Sequence, residues 1–158
     1  MSYTVRRADL GDLEKLVSFT MSEAEEAEGA HKQKDVVQRG IRTALEDPTV
    51  ATYWVLAHTE HGVIGNISIV KEWSNWHAGY YWWIQSMYLR EPFRGQGLMN
   101  LLLARVKEAA RSENALDLRL CVHKDNRRAI RAYQKAGFVE SVYQIMVANL
   151  VGAGGVYG

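Results

Sequence analysis

Cysteine is almost missing from this chain: Cys121 is the only one in 158 residues. A single thiol cannot close an internal disulfide, and no zinc site of paired cysteines can be assembled. Cys121 falls in the alternating run 116–122, where it is expected to be a small buried hydrophobe. Proline is nearly as scarce, with only Pro48 and Pro92, so each marks a boundary and the elements between them run uninterrupted. No apolar run reaches membrane length, and the opening residues 1–7 have no apolar targeting core. Excess charge of either sign is also lacking, since 19 Lys plus Arg against 18 Asp plus Glu leave a formal +1. That balance gives no general attraction to nucleic acid or to an anionic membrane. A soluble cytoplasmic protein without nucleic-acid, membrane or metal partners is the expectation.

What is present is densest between residues 82 and 103. Aromatic and β-branched residues run to Leu89 as a strand, and Pro92 ends any ladder. From Leu98 the apolar spacing turns helical, through Leu101, Leu102, Val106 and Ala109. Gly95 and Gly97 stand where that helix begins, so free backbone N–H groups point into one concavity. With the positive end of the helix dipole they form an anion site. The missing side chains let a bulky diphosphate approach the backbone. A P-loop needs Lys-Ser/Thr after the last glycine, but Leu98 and Met99 follow Gly97. A dinucleotide fingerprint needs a third glycine where Asn100 stands, although Asp117 has the offset of its ribose carboxylate.

Around this stretch the pattern predicts a strand at 3–7, then a helix capped by Asp9 with Leu10, Leu13, Leu16 and Val17 inward. That helix becomes acidic over 23–28 and stops at Gly29; a second, with Val36, Val37, Ile41, Ala44 and Leu45 on one face, stops at Asp47-Pro48. A hairpin follows from 52–58 and 63–71, then a strand at 80–89, a helix from 97 to about 111 and a strand at 116–122. Asp125 is expected to cap a helix over 126–136 stopped by Gly137, and 138–150 to form the last strands. Residues 151–158, with four glycines, read as a frayed tail after one domain over 1–150. The order implies an α/β protein with a mixed sheet and about four helices on both faces.

Arg94-Gly95-Gln96-Gly97-Leu98 resembles the arginine-x-x-glycine-x-glycine/alanine pyrophosphate turn of the GNAT family of N-acetyltransferases. Asp125-Asn126, Ala129, Tyr133, Gly137 and Phe138 resemble that family's second signature, in the right order and spacing. Met99 departs from the pattern, which has glycine or alanine there. The resemblance implies the acyl-CoA N-acyltransferase fold, with acetyl-CoA as cofactor and a small-molecule or peptide amine as acceptor. It implies a thioester cofactor lying in a wedge between parallel strands 85–89 and 116–122. Its arm would pair with the backbone of Met87, Tyr88 and Leu89, and one of the amides near Met87 would serve the oxyanion. Amides of Arg94, Gly95, Gln96, Gly97, Leu98 and Met99 would hold the pyrophosphate, the Arg94 side chain adding a charge-assisted contact. Asn126 would either bond the arm or only turn the chain. Tyr133 would protonate the departing thiolate, since a phenol of pKa ~10 keeps its proton at neutral pH.

An acceptor amine with pKa ~10.4 must lose its proton before it attacks. Many relatives place a glutamate on the central strand for this, but residues 80–89 hold no carboxylate. Glu72, Glu23, Glu26 and His77 are the candidates, with Trp83 and Gln85 as acceptor-site residues; 23–28 reads equally as a solvated helical face. Trp73, Trp76, Tyr80, Tyr81, Trp82 and Trp83 divide between core, a homodimer interface and an acceptor wall. Arg127, Arg128, Arg131 and Lys135 read as a solvated face or as help for a ribose phosphate. The rival to an enzyme is a non-catalytic CoA-binding or sensor domain of the same fold.

Overall fold

The computed structural model describes residues 2–151. Five strands form one sheet in the order β1 (Tyr3–Arg7), β2 (Thr52–His58), β3 (Gly62–Ser74), β4 (Gly79–Leu89) and β5 (Asp117–Leu120). The first four pair antiparallel, and β5 runs parallel to β4. Helices α1 (Leu13–Glu28) and α2 (Lys34–Glu46) cover one face around Leu16, Val17, Phe19, Ile41 and Ala44. Helix α3 (Met99–Ser112) covers the other face around Leu102, Leu103, Val106 and Ala110, joined by Tyr133 and Ala136 of the α4 (Arg127–Lys135) region. No helix among the described residues is long and apolar enough to cross a membrane.

The start of α1 is fixed by polar bonds. The Asp9 carboxylate accepts from the Gly11 amide and Asp12 from the Asp9 amide, each at 2.9 Å, while Arg6 grips Asp12 with both guanidinium nitrogens. These bonds hold a short 3₁₀ turn, Leu10–Asp12, ahead of the helix, which leaves Leu10 exposed instead of on the inner stripe. Val36 and Leu101 also face outward; on α3 the buried row is Leu98, Leu102, Leu103, Val106 and Ala110. Gly29 ends α1 in the left-handed region, φ +64°, and accordingly lacks a Cβ.

One irregularity in the sheet positions the site. Ser86 pairs with Ser68 and Ile84 with Ile69, so Gln85 is an extra residue on β4, a bulge. The bulge shifts the alternation by one. Trp82 and Ile84 before it, and Met87 and Leu89 after it, therefore share the α3 face. Trp82 is core, whereas Trp73, Trp76 and Tyr80 are exposed, with Trp73 and Tyr80 packed edge to face. The β4–β5 pairing stops at Ile84–Leu120, so β4 from Gln85 to Leu89 has no strand on that side.

Three expectations fail near the C-terminus. Cys121 is exposed, because β5 ends at Leu120 and the chain beyond has no partner strand to bury it. Helix α4 is capped by Asn126, whose Oδ1 accepts from the Ala129 amide at 3.2 Å, and not by Asp125. The strands expected over 138–150 do not form. Phe138 packs on the core, but from Val139 to Val151 the chain is irregular and exposed, since a strand exists only by pairing and this segment pairs with nothing in its own sheet. Residues 152–158 of the expected tail lie outside the described residues.

Candidate active site

The glycine turn is built as its spacing requires. After a 3₁₀ turn at Glu91–Phe93, Gly95 and Gly97 take φ of +80° and +76°, where a side chain is strained. A Cβ on Gly95 would meet nothing within 4 Å, and one on Gly97 only the Asn100 amide nitrogen at 3.9 Å. The turn is thus open to solvent above two glycines. Among the described residues, the amides of Gly95, Gln96, Gly97, Leu98 and Met99 donate to no protein acceptor, and α3 has no side-chain cap. Leu98 turns its side chain into the core and Met99 packs at its edge, so both present only backbone to the turn.

Arg94 lies back across β4. Its Nε donates to the Leu89 carbonyl at 2.7 Å, its guanidinium pairs with Glu26 Oε1 at 2.8 Å and stands 5.3 Å from the Tyr88 ring centroid. Tyr88 donates its hydroxyl to the other Glu26 oxygen at 2.9 Å. Glu26 is therefore a partner of the turn. It also lines a cavity of about 510 Å³ with Ala27, Glu28, His123, Asp125 and Asn126, between the end of α1 and the start of α4.

A second cavity, of about 340 Å³, opens on the α1–α2 side of the bulge. Thr20, Glu23, Ile41, Tyr53, Gln85 and Ser86 are among its walls. Beneath it lies a buried polar row: Ser68 Oγ and Ser86 Oγ are 2.6 Å apart, Asn66 donates to Ser86 at 3.2 Å, and Tyr53 bonds to both serines. Glu23 Oε2 accepts the Met87 amide at 3.2 Å. Burial raises the Glu23 carboxyl to about 7, against the pull of that amide and with the help of the Glu28 and Glu26 charges. Tyr133 is half-buried, edge to face with Phe138 at 5.8 Å. Burial, then the Glu23 charge, raise its hydroxyl above the ordinary value. That coupling puts Glu23 and Tyr133 in one electrostatic neighbourhood.

Other candidates stand apart. Trp83 Nε1 donates to Glu72 Oε1 at 2.8 Å, and neither residue lines either of these two cavities. His77 sits in the β3–β4 turn, its amide donating to Ser74. Asp117 is held by Arg119 at 2.9 and 3.1 Å, which occupies the carboxylate that a dinucleotide ribose would require. Arg127, Arg128, Arg131 and Lys135 are exposed. Among the described residues no group of three His, Cys, Asp or Glu could hold a metal.

The sequence does not single out Tyr53, Ser68 and Ser86, and it offers Glu23 as one of four candidate bases without preferring it. A signal existed: Glu23 lies seven residues after Leu16 and four after Phe19, on the buried stripe of α1. Asn66 and Ser68 likewise alternate with Ile67 and Ile69 on a strand buried on both faces.

Known proteins point the same way. The model of the acetyltransferase (GNAT) family matches residues 13–138. An aminoalkylphosphonate N-acetyltransferase of Salmonella typhimurium is 31% identical over 109 residues, 69% of this chain and 70% of that protein. The crystal structure of a possible acetyltransferase from Clostridium difficile 630 superposes with a TM-score of 0.89 at 29% identity, over 96% of this chain and all of the other. A predicted acetyltransferase of Clostridium acetobutylicum, solved with acetyl-CoA, shares the fold at a TM-score of 0.76 and 20% identity, over 93% of this chain and 96% of its own. With its open glycine turn, parted strands and matched span, the chain belongs to the acetyltransferase (GNAT) family.

Proposed function

We propose that the protein is an acetyl-CoA-dependent N-acetyltransferase, transferring an acetyl group to the primary amine of a small molecule or peptide by direct attack. The observation that carries this reading is the parting of β5 from β4 between an open glycine turn and a half-buried carboxylate. Five amides without a protein acceptor, over two positive-φ glycines, fit a diphosphate. No strand covers the β4 edge from Gln85 to Leu89, which Glu23 holds at the Met87 amide and Arg94 at the Leu89 carbonyl. Once those side chains give way, the edge fits an amide-bearing arm laid down as a strand. Asn126 keeps its side-chain amide NH₂ for that arm, since only its Oδ1 is used in the cap. Arg94 would exchange Glu26 for a phosphate, and such part-exposed ion pairs hold by only ~1 kcal/mol or less.

Acetyl-CoA, when bound, supplies an acetyl group activated as a thioester. This chain handles protons and position. Glu23 Oε2, half-ionised near pH 7, takes a proton from an incoming ammonium and leaves the amine free to attack. Tyr133 Oη keeps its proton throughout the neutral range, as a donor to a leaving sulfur must. The single Met87 amide hydrogen is held by Glu23. Cys121 lines neither cavity, which favours direct attack over a thioester on the protein.

The cavity beside Glu23 also supports an acceptor class. Glu23 is the only charged residue among its described walls, and Val37, Ile41, Ala44, Val50 and Ala51 make much of the rest. An ammonium on an uncharged apolar body suits it; a phosphonate such as the Salmonella relative's name implies would find no counter-charge there. The reading extends to a cytoplasmic homodimer.

Thermal titration with acetyl-CoA, CoA and NADH, followed by thiol release with propylamine, tyramine and aminomethylphosphonate, tests it. Stabilisation by acetyl-CoA and release with the first two amines are expected. Binding without release on any amine would leave the sensor domain, a reading favoured by the carboxylate-free central strand. No binding would refute both.

A further inference from the structure

The α1–α2 face of the sheet continues past the cavity beside Glu23. Tyr81 and Trp83 lie on that face, because Trp82 and Ile84 between and after them point to α3. In the ladder Trp83 pairs with Val70 of β3 and Arg119 of β5, and Tyr81 with Glu72. Val70 packs at the rim of the α1–α2 core. Ala51, a wall of the cavity, directly precedes Thr52, which pairs with Ile69, so the cavity runs toward Val70 and Trp83. The core beneath α1 and α2 takes in neither Tyr81 nor Trp83, which stay half-buried while Glu72 is exposed.

Charge on this shelf is uneven. The Arg119 guanidinium stands 3.5 Å from the Tyr81 ring centroid, and both Asp117 oxygens neutralise it, at 2.9 and 3.1 Å. Lys71 lies over Trp82 on the opposite face and is held by Glu113 at 2.9 Å. Glu72 accepts the Trp83 indole N–H on Oε1 at 2.8 Å, and among the described residues no cation pairs with it. A carboxylate without a counter-ion, beside a half-buried indole, suits an ammonium on a hydrocarbon stem.

We propose, building on the acyl-transfer reading above, that the acceptor is a linear α,ω-diamine. Its reacting amine sits at Glu23, its methylene chain passes Gln85 and Trp83, and its far ammonium meets Glu72. Glu23 holds the amide of Met87, which pairs with Ile67, and Glu72 stands five residues farther along β3, ~16 Å at about 3.3 Å per residue. Both ammoniums sit inside that span, so a chain of about nine to eleven bonds, at ~1.2 Å each, bridges the two carboxylates. The uncharged middle of the diamine meets the apolar cavity wall and Trp83. On transfer the amine gives its proton to Glu23, and its bond to the acetyl carbon forms as the thioester C–S bond breaks. The acetamide so made carries no charge for Glu72, so the diamine is acetylated once.

Turnover of acetyl-CoA with propylamine, 1,4-diaminobutane, 1,8-diaminooctane, 8-amino-1-octanol and 8-aminooctanoate tests this. Among the eight-carbon amines, kcat/KM is expected to be about 5- to 10-fold higher for the diamine than for the amino alcohol, the worth of one part-exposed ion pair with an aromatic neighbour. Aminooctanoate should be the poorest of the three, and diaminobutane, too short to reach Glu72, should gain nothing over propylamine. Glu72→Gln, checked for folding by circular dichroism, should raise KM for the diamine to that of the amino alcohol. Equal kcat/KM for those two in the wild type, or a diamine preference that survives Glu72→Gln, would overturn the proposal and leave acyl transfer standing. A ranking led by aminooctanoate would give the shelf to a carboxylate at Arg119 and overturn it too. Turnover of none of the amines would refute the acyl transfer, and the diamine with it.

Discussion

Glu23→Gln separates catalysis from stability because the structure predicts opposite signs for the two. In the fold the Glu23 carboxyl titrates at about 7, raised by burial, against about 4.3 in an unfolded chain. A raised carboxyl binds its proton more tightly in the native state, so stability is intact below about pH 4.3 and falls as pH rises through about 7. Full burial would make that loss about 4 kcal/mol, and the access of water to a half-buried group reduces it to ~1–2 kcal/mol. Glutamine is never ionised, yet its carbonyl can still accept the Met87 amide as Glu23 does at 3.2 Å. The variant should therefore match the wild type at pH 4 and melt a few degrees higher at pH 8, at roughly 2–4 °C per kcal/mol for a chain of this size. Loss of a general base should meanwhile lower kcat by ~100-fold or more and remove the acid limb near pH 7 from its pH profile. Calorimetric melts at both pH values and steady-state thiol release provide the two readings. A variant that keeps its kcat, with the limb in place, refutes the assignment of the base.

Tyr133→Phe should lower kcat by at least ~10-fold, in line with the contribution of a general acid, while titration calorimetry shows an unchanged Kd for acetyl-CoA. The wild-type profile should show no fall below pH 10, because burial and the Glu23 charge raise the Tyr133 hydroxyl. Gly95→Val and Gly97→Val meet no steric wall in the protein, so each should cost only ~1–2 kcal/mol of strain yet abolish acetyl-CoA binding by filling the turn. Glu26→Gln frees Arg94 from its ion pair and should tighten acetyl-CoA binding by up to ~5-fold, within the worth of a part-exposed pair.

Much of this architecture was legible because its signals are local. The glycine turn, the Gly29 stop, the paired helices and the order of the first five strands all follow from caps, breakers and periodicity. The resemblance at Arg94–Leu98 and Asp125–Phe138 gave the family. Less was legible where pairing decides. The bulge at Gln85 leaves its trace in the spacing of Ile84, Met87 and Leu89, but only the β3 register exposes it. Glu23 is chemically like Glu25, Glu26 and Glu28; what sets it apart is its place over the Met87 amide, 64 residues away in sequence. The strands expected over 138–150 do not form, because a strand needs an edge to pair with and composition alone does not supply one.

The central claim is that these residues move an acetyl group onto an amine. Incubating the protein with acetyl-CoA and an uncharged alkyl amine, and weighing the amine by mass spectrometry while free thiol is counted, tests it directly. One acetyl gained per thiol released is expected, at a rate that falls in Glu23→Gln and Tyr133→Phe. Thiol release that is the same without the amine, with no acetylated product, would contradict it.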